Sequence, residues 1–166
     1  MSIPSSLLFI AAMLILFTSC SQSRTGIYKT YSFYKINTPG NIPVDDKGKP
    51  IGKIHDTTRV IYFESGKEIS PLLRAVLVNG SYYKPLITKI TGNAEEAGTL
   101  IETNKPVIVK GKANTQLWKV EPGIKIDTLS TSKLKDDRVY LVVEFKGRNT
   151  MQVIKEHREL VPELRY

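Results

Sequence analysis

Cysteine is almost absent from this chain of 166 residues, because Cys20 is the only one. A single thiol cannot form a disulfide within the chain, so we expect the fold to be held by its hydrophobic core alone. Histidine is nearly as rare, with His55 and His157 as the two examples, and no block of five or six like charges occurs. Apolar and charged fractions of 41% and 24% are ordinary for a globular protein and argue against disorder.

These scarcities leave little material for catalysis. A nucleophilic mechanism requires a nucleophile, a base and a group that orients the base. His55, Asp56 and Ser65 contain the necessary side chains, but no Gly-x-Ser-x-Gly elbow or other motif selects them. His157 lies in a charged stretch near the C-terminus. We therefore expect no catalytic residues.

Metal and cofactor sites are equally unsupported. Zinc usually requires three or four closely spaced histidine or cysteine ligands, which this chain cannot supply. Asn93, Glu95 and Glu96 offer oxygen atoms, but they fall short of the six to eight ligands of Ca²⁺. Phosphate-cradling glycine motifs are also missing. The sequence predicts neither a metal site nor a cofactor.

What the chain does have is an apolar run just before its cysteine. Leu7–Phe17 is followed by the small residues Thr18 and Ser19 and then by Cys20. A short apolar core ending in small residues is typical of a secretory signal. The segment resembles the signals of bacterial lipoproteins, in which a leucine and two small residues precede the acceptor cysteine. Here Phe17 stands at the leucine position, and the relaxed motif is similar to those of Bacteroidota.

The resemblance implies a division of the chain. Residues 1–19 would be a cleaved signal peptide, residues 20–26 the acylated N-terminus and tether, and residues 27–166 a single domain. Cys20 would carry the lipid and hold the protein in the outer membrane, facing the periplasm because no acidic cluster follows it. Two alternatives stay open. The uncharged segment 1–23 is an uncleaved membrane anchor, or Cys20 is an ordinary thiol after a normally cleaved signal.

The remainder of the chain has the signals of a β protein. Asn79-Gly80 between Leu72–Val78 and Ser81–Ile90 predicts a type I′ hairpin, whose apolar first arm should lie centrally in a sheet. Val139–Phe145 is the longest apolar run after the signal. We predict an all-β fold, an antiparallel β-sandwich (immunoglobulin-like or related) of about eight strands.

Three further local predictions follow from composition and turn signals. Residues 92–98 are expected to be a loop and residues 99–102 a strand, while residues 64–66 are interpreted as a turn after a strand. The C-terminus is expected to be a strand that ends, at most, in a helical turn, because Pro162 would stop a helix.

Tyr82, Tyr83 and Trp118 form the candidate binding surface. Successive strand residues point to opposite faces, so one of the two tyrosines should be exposed if the other is buried. Exposed aromatic side chains on a β-sandwich often bind sugars or proteins. The alternative is ordinary packing in the core or across strands.

Two functions follow from these observations. The first is a non-catalytic, membrane-anchored subunit that binds another envelope protein, for example in a type VI-like secretion machine, by analogy of size and architecture alone. The second is a module for acidic glycans or cell-wall polymers, consistent with the net charge of +8. An envelope hydrolase is third. Nucleic acid is not expected as a partner in this compartment.

Replacing the acceptor thiol tests the anchor. We expect Cys20→Ser to release the domain from membranes and leave it folded, because no disulfide depends on this residue. Membrane fractionation with a high-salt wash, together with circular dichroism, measures both results. Persistent membrane association after the wash would favour the uncleaved anchor instead.

Overall fold

The computed structural model describes residues 25–38, 43–51, 55–67, 72–126, 138–145 and 147–162. About 70% of these residues are in β-strands and none is in an α-helix, which confirms the predicted all-β class. The strands are β1 (Ile27–Asn37), β2 (Asp56–Gly66), β3 (Leu72–Val78), β4 (Ser81–Lys89), β5 (Ala94–Thr99), β6 (Pro106–Lys110), β7 (Thr115–Lys125), β8 (Val139–Phe145), β9 (Arg148–Ile154) and β10 (Arg158–Glu159). A single 3-10 turn, Thr91–Asn93, connects β4 to β5.

Eight of the strands form one curled sheet in the order β10-β1-β2-β7-β4-β3-β8-β9. Neighbours are antiparallel except β1 and β10, which are parallel. Because strands twist, a sheet of this width curls, and here β9 comes back towards the start of β1. Across this seam the Thr25 hydroxyl donates to Gln152 Oε1 at 3.2 Å. The result is barrel-like.

The β3–β4 hairpin forms as predicted. Asn79 and Gly80 have φ values of 48° and 75°, the left-handed conformation that both central positions of a type I′ turn require. The first arm lies between β4 and β8, and all four residues from Ala75 to Val78 are buried. An apolar strand covered on both faces is therefore explained by its central place in the sheet.

Two hydrophobic cores result. The first fills the inside of the curled sheet with side chains from β1, β2, β3, β7, β8 and β9, including Ile61, Phe63, Val76 and Leu141. The second lies on the outer face of β1, β2 and β7. There the two-stranded ribbon of β5 and β6 covers the sheet. Its buried residues are Phe33, Tyr62, Ile90, Leu100, Val109, Leu117 and Leu160.

The ribbon corrects two local predictions. Residues 94–99 are not a loop but strand β5, paired with β6 from Ala94↔Lys110 to Thr99↔Pro106. The strand predicted at residues 99–102 is also wrong, because Leu100 makes only an isolated bridge to Leu160 and a turn follows. The polar composition of β5 concealed a strand whose inward positions are Glu95, which meets polar partners, and Ala97.

The C-terminal strand prediction is confirmed as far as the chain is described. Arg158 and Glu159 pair with Phe33 and Tyr34 of β1, and Leu160 N donates to Tyr34 O at 2.8 Å. No helical turn occurs between residues 155 and 162. The segment before β10 crosses from one edge of the curled sheet to the other and therefore helps to close it.

His157 lies in this crossing segment. Its Nδ1 atom is 2.9 Å from the hydroxyl of the buried Ser32, while its Nε2 atom is buried without a hydrogen-bond partner. Burial, and secondarily the positive charge of Arg59, hold the pKa of His157 below its ordinary value. Folding therefore favours the neutral imidazole.

A pH-dependent stability follows from this lowered pKa. The contribution of His157 is complete above about pH 6.5 and is lost as pH falls, since protonation would bury a charge. Urea unfolding at pH 7.5 and pH 5.5 should show a smaller decrease in His157→Asn than in the native protein. The exposed His55 supplies the control, and His55→Asn should keep the native decrease. Equal decreases in all three proteins would contradict the assignment.

Candidate functional site

Cys20 lies outside the described residues, so its acylation stays a prediction. The described part of the fold starts at Thr25, whose side chain is buried and whose Oγ1 atom accepts from Ile27 N at 3.4 Å. Thr25 stands five residues after the cysteine. No helix among the described residues is long and apolar enough to cross a membrane.

Trp118 faces the inner core. Its indole stacks on Phe63 with ring centroids 6.3 Å apart and 18° between the planes. The Nε1–H group donates to the hydroxyl of the buried Ser65 at 2.9 Å. Both its ring and its polar atom thus have partners within the protein, although the side chain stays half-buried.

The two tyrosines point in opposite directions. Tyr83 lies opposite Val76 and packs against the inner core, whereas Tyr82 lies opposite Leu77 on the other face. Both are half-buried. The three aromatic residues therefore do not converge on one flat surface. A role of Tyr82, Tyr83 or Trp118 in binding stays a prediction.

The structure separates the candidate catalytic side chains. Asp56 begins β2 and Ser65 lies near its end, which places them roughly 30 Å apart at 3.3 Å per residue. His55 Nδ1 is 3.1 Å from the Thr38 hydroxyl, and Ser65 accepts from Trp118. These three residues cannot act on one substrate atom. The interpretation of residues 64–66 as a turn was wrong, because β2 continues through Gly66.

The candidate oxygen ligands are likewise dispersed. Asn93 Oδ1 accepts from Leu117 N at 2.7 Å, and its Nδ2 donates to Lys112 O at 3.1 Å. Glu95 faces the sheet while Glu96, the next residue along β5, is exposed. Among the described residues, no group of three or more histidine, cysteine, aspartate or glutamate side chains is close enough to hold a metal ion.

A polar cleft of about 340 Å³ lies between the ribbon and the outer face of the sheet. Glu95 Oε1 accepts from the Tyr62 hydroxyl at 3.3 Å and from Lys119 Nζ at 3.1 Å. Burial, together with the charge and hydrogen bond of Glu95, raises the pKa of Tyr62, so the phenol stays protonated as a donor. Beside it, the Tyr34 hydroxyl donates to Glu159 at 3.2 Å. These polar groups fasten the ribbon and the C-terminal strand to the sheet.

Glu64 is the polar residue that the sequence did not single out. It is 1% exposed, and its carboxylate accepts from the Tyr31 hydroxyl at 3.3 Å, Lys112 N at 3.2 Å and the Thr115 hydroxyl at 3.4 Å. A buried carboxylate needs such donors to offset the loss of water. Glu64 therefore holds the β6–β7 connection against β2. Glu64 is two residues from Tyr62 and four from Val60, so the period of a strand places it on the same outer face as these two side chains. This spacing was the signal in the sequence that could have identified it.

The free edge of the ribbon is β6. On its inner side β6 pairs with β5, while Thr99 O, at the other edge of the ribbon, accepts from Val161 N at 2.8 Å. No described strand pairs with the outer edge of β6. Gly111 N donates to Asn93 O at 2.9 Å. Because hydrogen-bonded and non-hydrogen-bonded pairs alternate in an antiparallel ladder, the N–H and C=O groups of Ile108 and Lys110 point away from β5. The Ile108 side chain is 55% exposed.

Comparisons of the chain with protein-family models, curated proteins and solved structures give no match. The class that the fold itself defines is a curled, all-β domain with an added two-stranded ribbon.

The packing of Trp118 generates a direct test. We expect Trp118→Ala to lower the free energy of unfolding by about 3 kcal/mol, because it leaves a cavity over Phe63 and removes the hydrogen bond from the indole to Ser65. Trp118→Phe should lose only about 1 kcal/mol, since it keeps the stacking and removes one hydrogen bond. Urea unfolding measures both. An unchanged stability in Trp118→Ala would show that the indole does not support the core.

Proposed function

We propose that this protein is a lipid-anchored, non-catalytic accessory subunit of the bacterial cell envelope that binds a partner protein through the outer edge of β6. The anchor is the acylated Cys20, and the proposed location is the outer membrane on its periplasmic side. A secretion machine of the type VI kind is one assembly that uses subunits of this size and architecture.

The signal-like segment supports the anchoring half of this proposal. Leu7–Phe17, the two small residues and Cys20 have the order expected of a lipoprotein signal. The described part of the fold starts at Thr25, five residues after the cysteine, which suits a subunit that presents a surface near a membrane. The separation of His55 and Asp56 from Ser65 removes the one constellation that had suggested hydrolysis.

The β6 edge is the observation that carries the protein-binding half. An extended segment of another protein can add to an unpaired strand and gain its main-chain hydrogen bonds. Natural sheets usually protect such edges with bulges, charges or covering loops. In β6, Pro106 and Lys110 protect the two ends of the strand, and between them the exposed Ile108 can contact a side chain of an added strand.

Charge indicates what the edge should accept. Lys105 precedes β6, Lys110 ends it and Lys112 follows. A second copy of the chain would bring these like charges together, which disfavours self-pairing. An extended partner segment with acidic residues would instead be attracted. The proposed partner is therefore another envelope protein and not a second copy.

Substitutions on β6 test this interface. Ile108→Arg places a charge on the exposed face, and Ile108→Pro removes an N–H group that the ribbon does not use. Each should reduce the partner recovered by affinity capture of the tagged native lipoprotein by about tenfold or more. Met151→Arg is the matched control, because Met151 is 43% exposed on β9, the edge strand on the far side of the sheet.

Two outcomes of the capture experiment would contradict the proposal. Absence of any stoichiometric partner from the native lipoprotein would refute the protein-binding function. If Met151→Arg loses the partner while both Ile108 variants recover it normally, the interface lies at the β9 edge of the eight-stranded sheet. That result would refute the role of β6.

A further inference from the structure

The start of the domain and several exposed lysines lie at the same end of the curled sheet. Ile27, the first residue of β1, pairs with Ser65 near the end of β2. Next to it, Gly66 pairs with Thr115 at the start of β7, and Trp118 pairs with Lys89 at the end of β4. The strand register therefore brings the start of β1 beside Lys89 at the end of β4 and beside the connections that carry Lys67 and Lys112. We call this the lysine end.

A shallow cleft of about 480 Å³ lies at the lysine end. It is lined by Lys67, Lys89 and Lys112 together with residues 90–93 and 113–116, and none of these described lining residues is acidic. All three lysines are exposed. The ion pairs formed between described residues, Arg74–Glu144 and Lys119–Glu95, do not use them. The described residues that line the cleft therefore carry charges of one sign only.

A buried carboxylate among the described residues accompanies this surface. Glu64 lies beneath it, fully buried, and its oxygens accept from the backbone of Lys112 and from the side chains of Tyr31 and Thr115. The opposite end of the sheet is different, because its cleft is lined by charges of both signs, including Asp56, Arg59 and Glu121. The two clefts thus differ in the signs of the charged residues that line them.

Exposed apolar side chains accompany the lysines. Tyr28 is the second residue of β1, at the register shift between Ile27 and Lys29, and Leu72 begins β3 at the same end, opposite Glu144. Both are exposed large hydrophobic residues. Tyrosine and leucine beside lysine make a surface suited to a membrane interface, where rings and apolar chains enter the headgroup region and ammonium groups stay at the phosphates.

We propose that the lysine end docks against anionic lipid headgroups of the bilayer to which Cys20 is attached. This inference rests on the proposed lipid anchor. Residues 20–24 can span at most about 18 Å when fully extended, so the anchor holds this end of the domain close to the membrane. Electrostatic attraction acts over about 8 Å at physiological ionic strength. A partly extended tether lets the lysines come within this distance of the membrane surface.

The docked orientation has a consequence for the β6 edge. β6 runs from Pro106 towards Lys110, and Lys112 follows it at the lysine end. With the lysine end on the membrane, the Pro106 end of the strand points away from the bilayer. The edge is then presented at the side of the molecule, where a periplasmic partner reaches it without displacing lipid.

Vesicle binding by lipid-free protein tests the docking separately from acylation. Every described residue of the two hydrophobic cores lies between Ile27 and Leu160, so we expect the chain without residues 1–19 and with Cys20→Ser to keep the described fold. It should sediment with phosphatidylcholine vesicles that contain phosphatidylglycerol and not with pure phosphatidylcholine. High salt should weaken the binding, because the attraction is electrostatic.

A matched pair of triple variants locates the binding surface. Each lysine near an anionic surface strengthens binding about fivefold, so Lys67→Gln, Lys89→Gln and Lys112→Gln together should weaken vesicle binding about a hundredfold. The control is Lys35→Gln, Lys105→Gln and Lys125→Gln, which removes the same charge from elsewhere on the protein. It should weaken binding only a few-fold. Circular dichroism verifies that both variants are folded.

Three results would overturn the inference. They are no binding to the anionic vesicles, equal weakening by the two triple variants, or lysine-dependent binding to an acidic polysaccharide such as polygalacturonate without binding to vesicles. The last result would assign the cleft to glycans. The mass of the native N-terminus reports acylation independently. Acylated Cys20 without vesicle docking refutes only this inference, whereas unmodified Cys20 with vesicle docking refutes only the lipid anchor.

Discussion

The double burial of β2 is the constraint on which the rest of the structure depends. Ile61 and Phe63 point into the curled sheet, while Tyr62 and Glu64 point to its outer face. A fully buried large apolar side chain contributes about 1.5–3 kcal/mol, and a whole domain is typically stable by only about 5–15 kcal/mol. The buried side chains of this one strand therefore contribute free energy that is comparable in size to the net stability of a whole domain. Since both cores use it, the sheet and the ribbon are stabilised together.

Polar side chains determine where the ribbon lies on that outer face. Apolar contacts are not directional, but the Tyr62–Glu95–Lys119 group and the bonds to Glu64 form only in one arrangement. Burying these polar groups removes them from water, and their mutual hydrogen bonds offset the free-energy cost of that desolvation. The same arrangement leaves the outer edge of β6 uncovered and brings Lys112 beside the entry of the chain. Both surfaces proposed for binding thus follow from the position of the ribbon.

Sequence patterns predicted the strands and turns that depend on residue types and on neighbours along the chain. Asn79-Gly80 forms its turn because both residues tolerate positive φ, and Val139–Phe145 is a strand because its side chains suit a buried sheet. The polar β5 was missed, since its pairing with β6 depends on tertiary contacts that composition does not reveal. The partners of Trp118 were equally hidden, because Phe63 and Ser65 are distant in sequence.

By itself, the sequence determined the all-β class, the absence of internal disulfides and the central hairpin, because these depend on residue types and on neighbours along the chain. The order of Leu7–Phe17 and Cys20 is a sequence feature of the same kind, from which the anchor is proposed. Only the tertiary structure decided which aromatic rings are packed inside, which strand edge is free and that three separate lysines share one end. Burial and charge at a surface arise from residues that the strand register brings together, and that register is set by both cores at once.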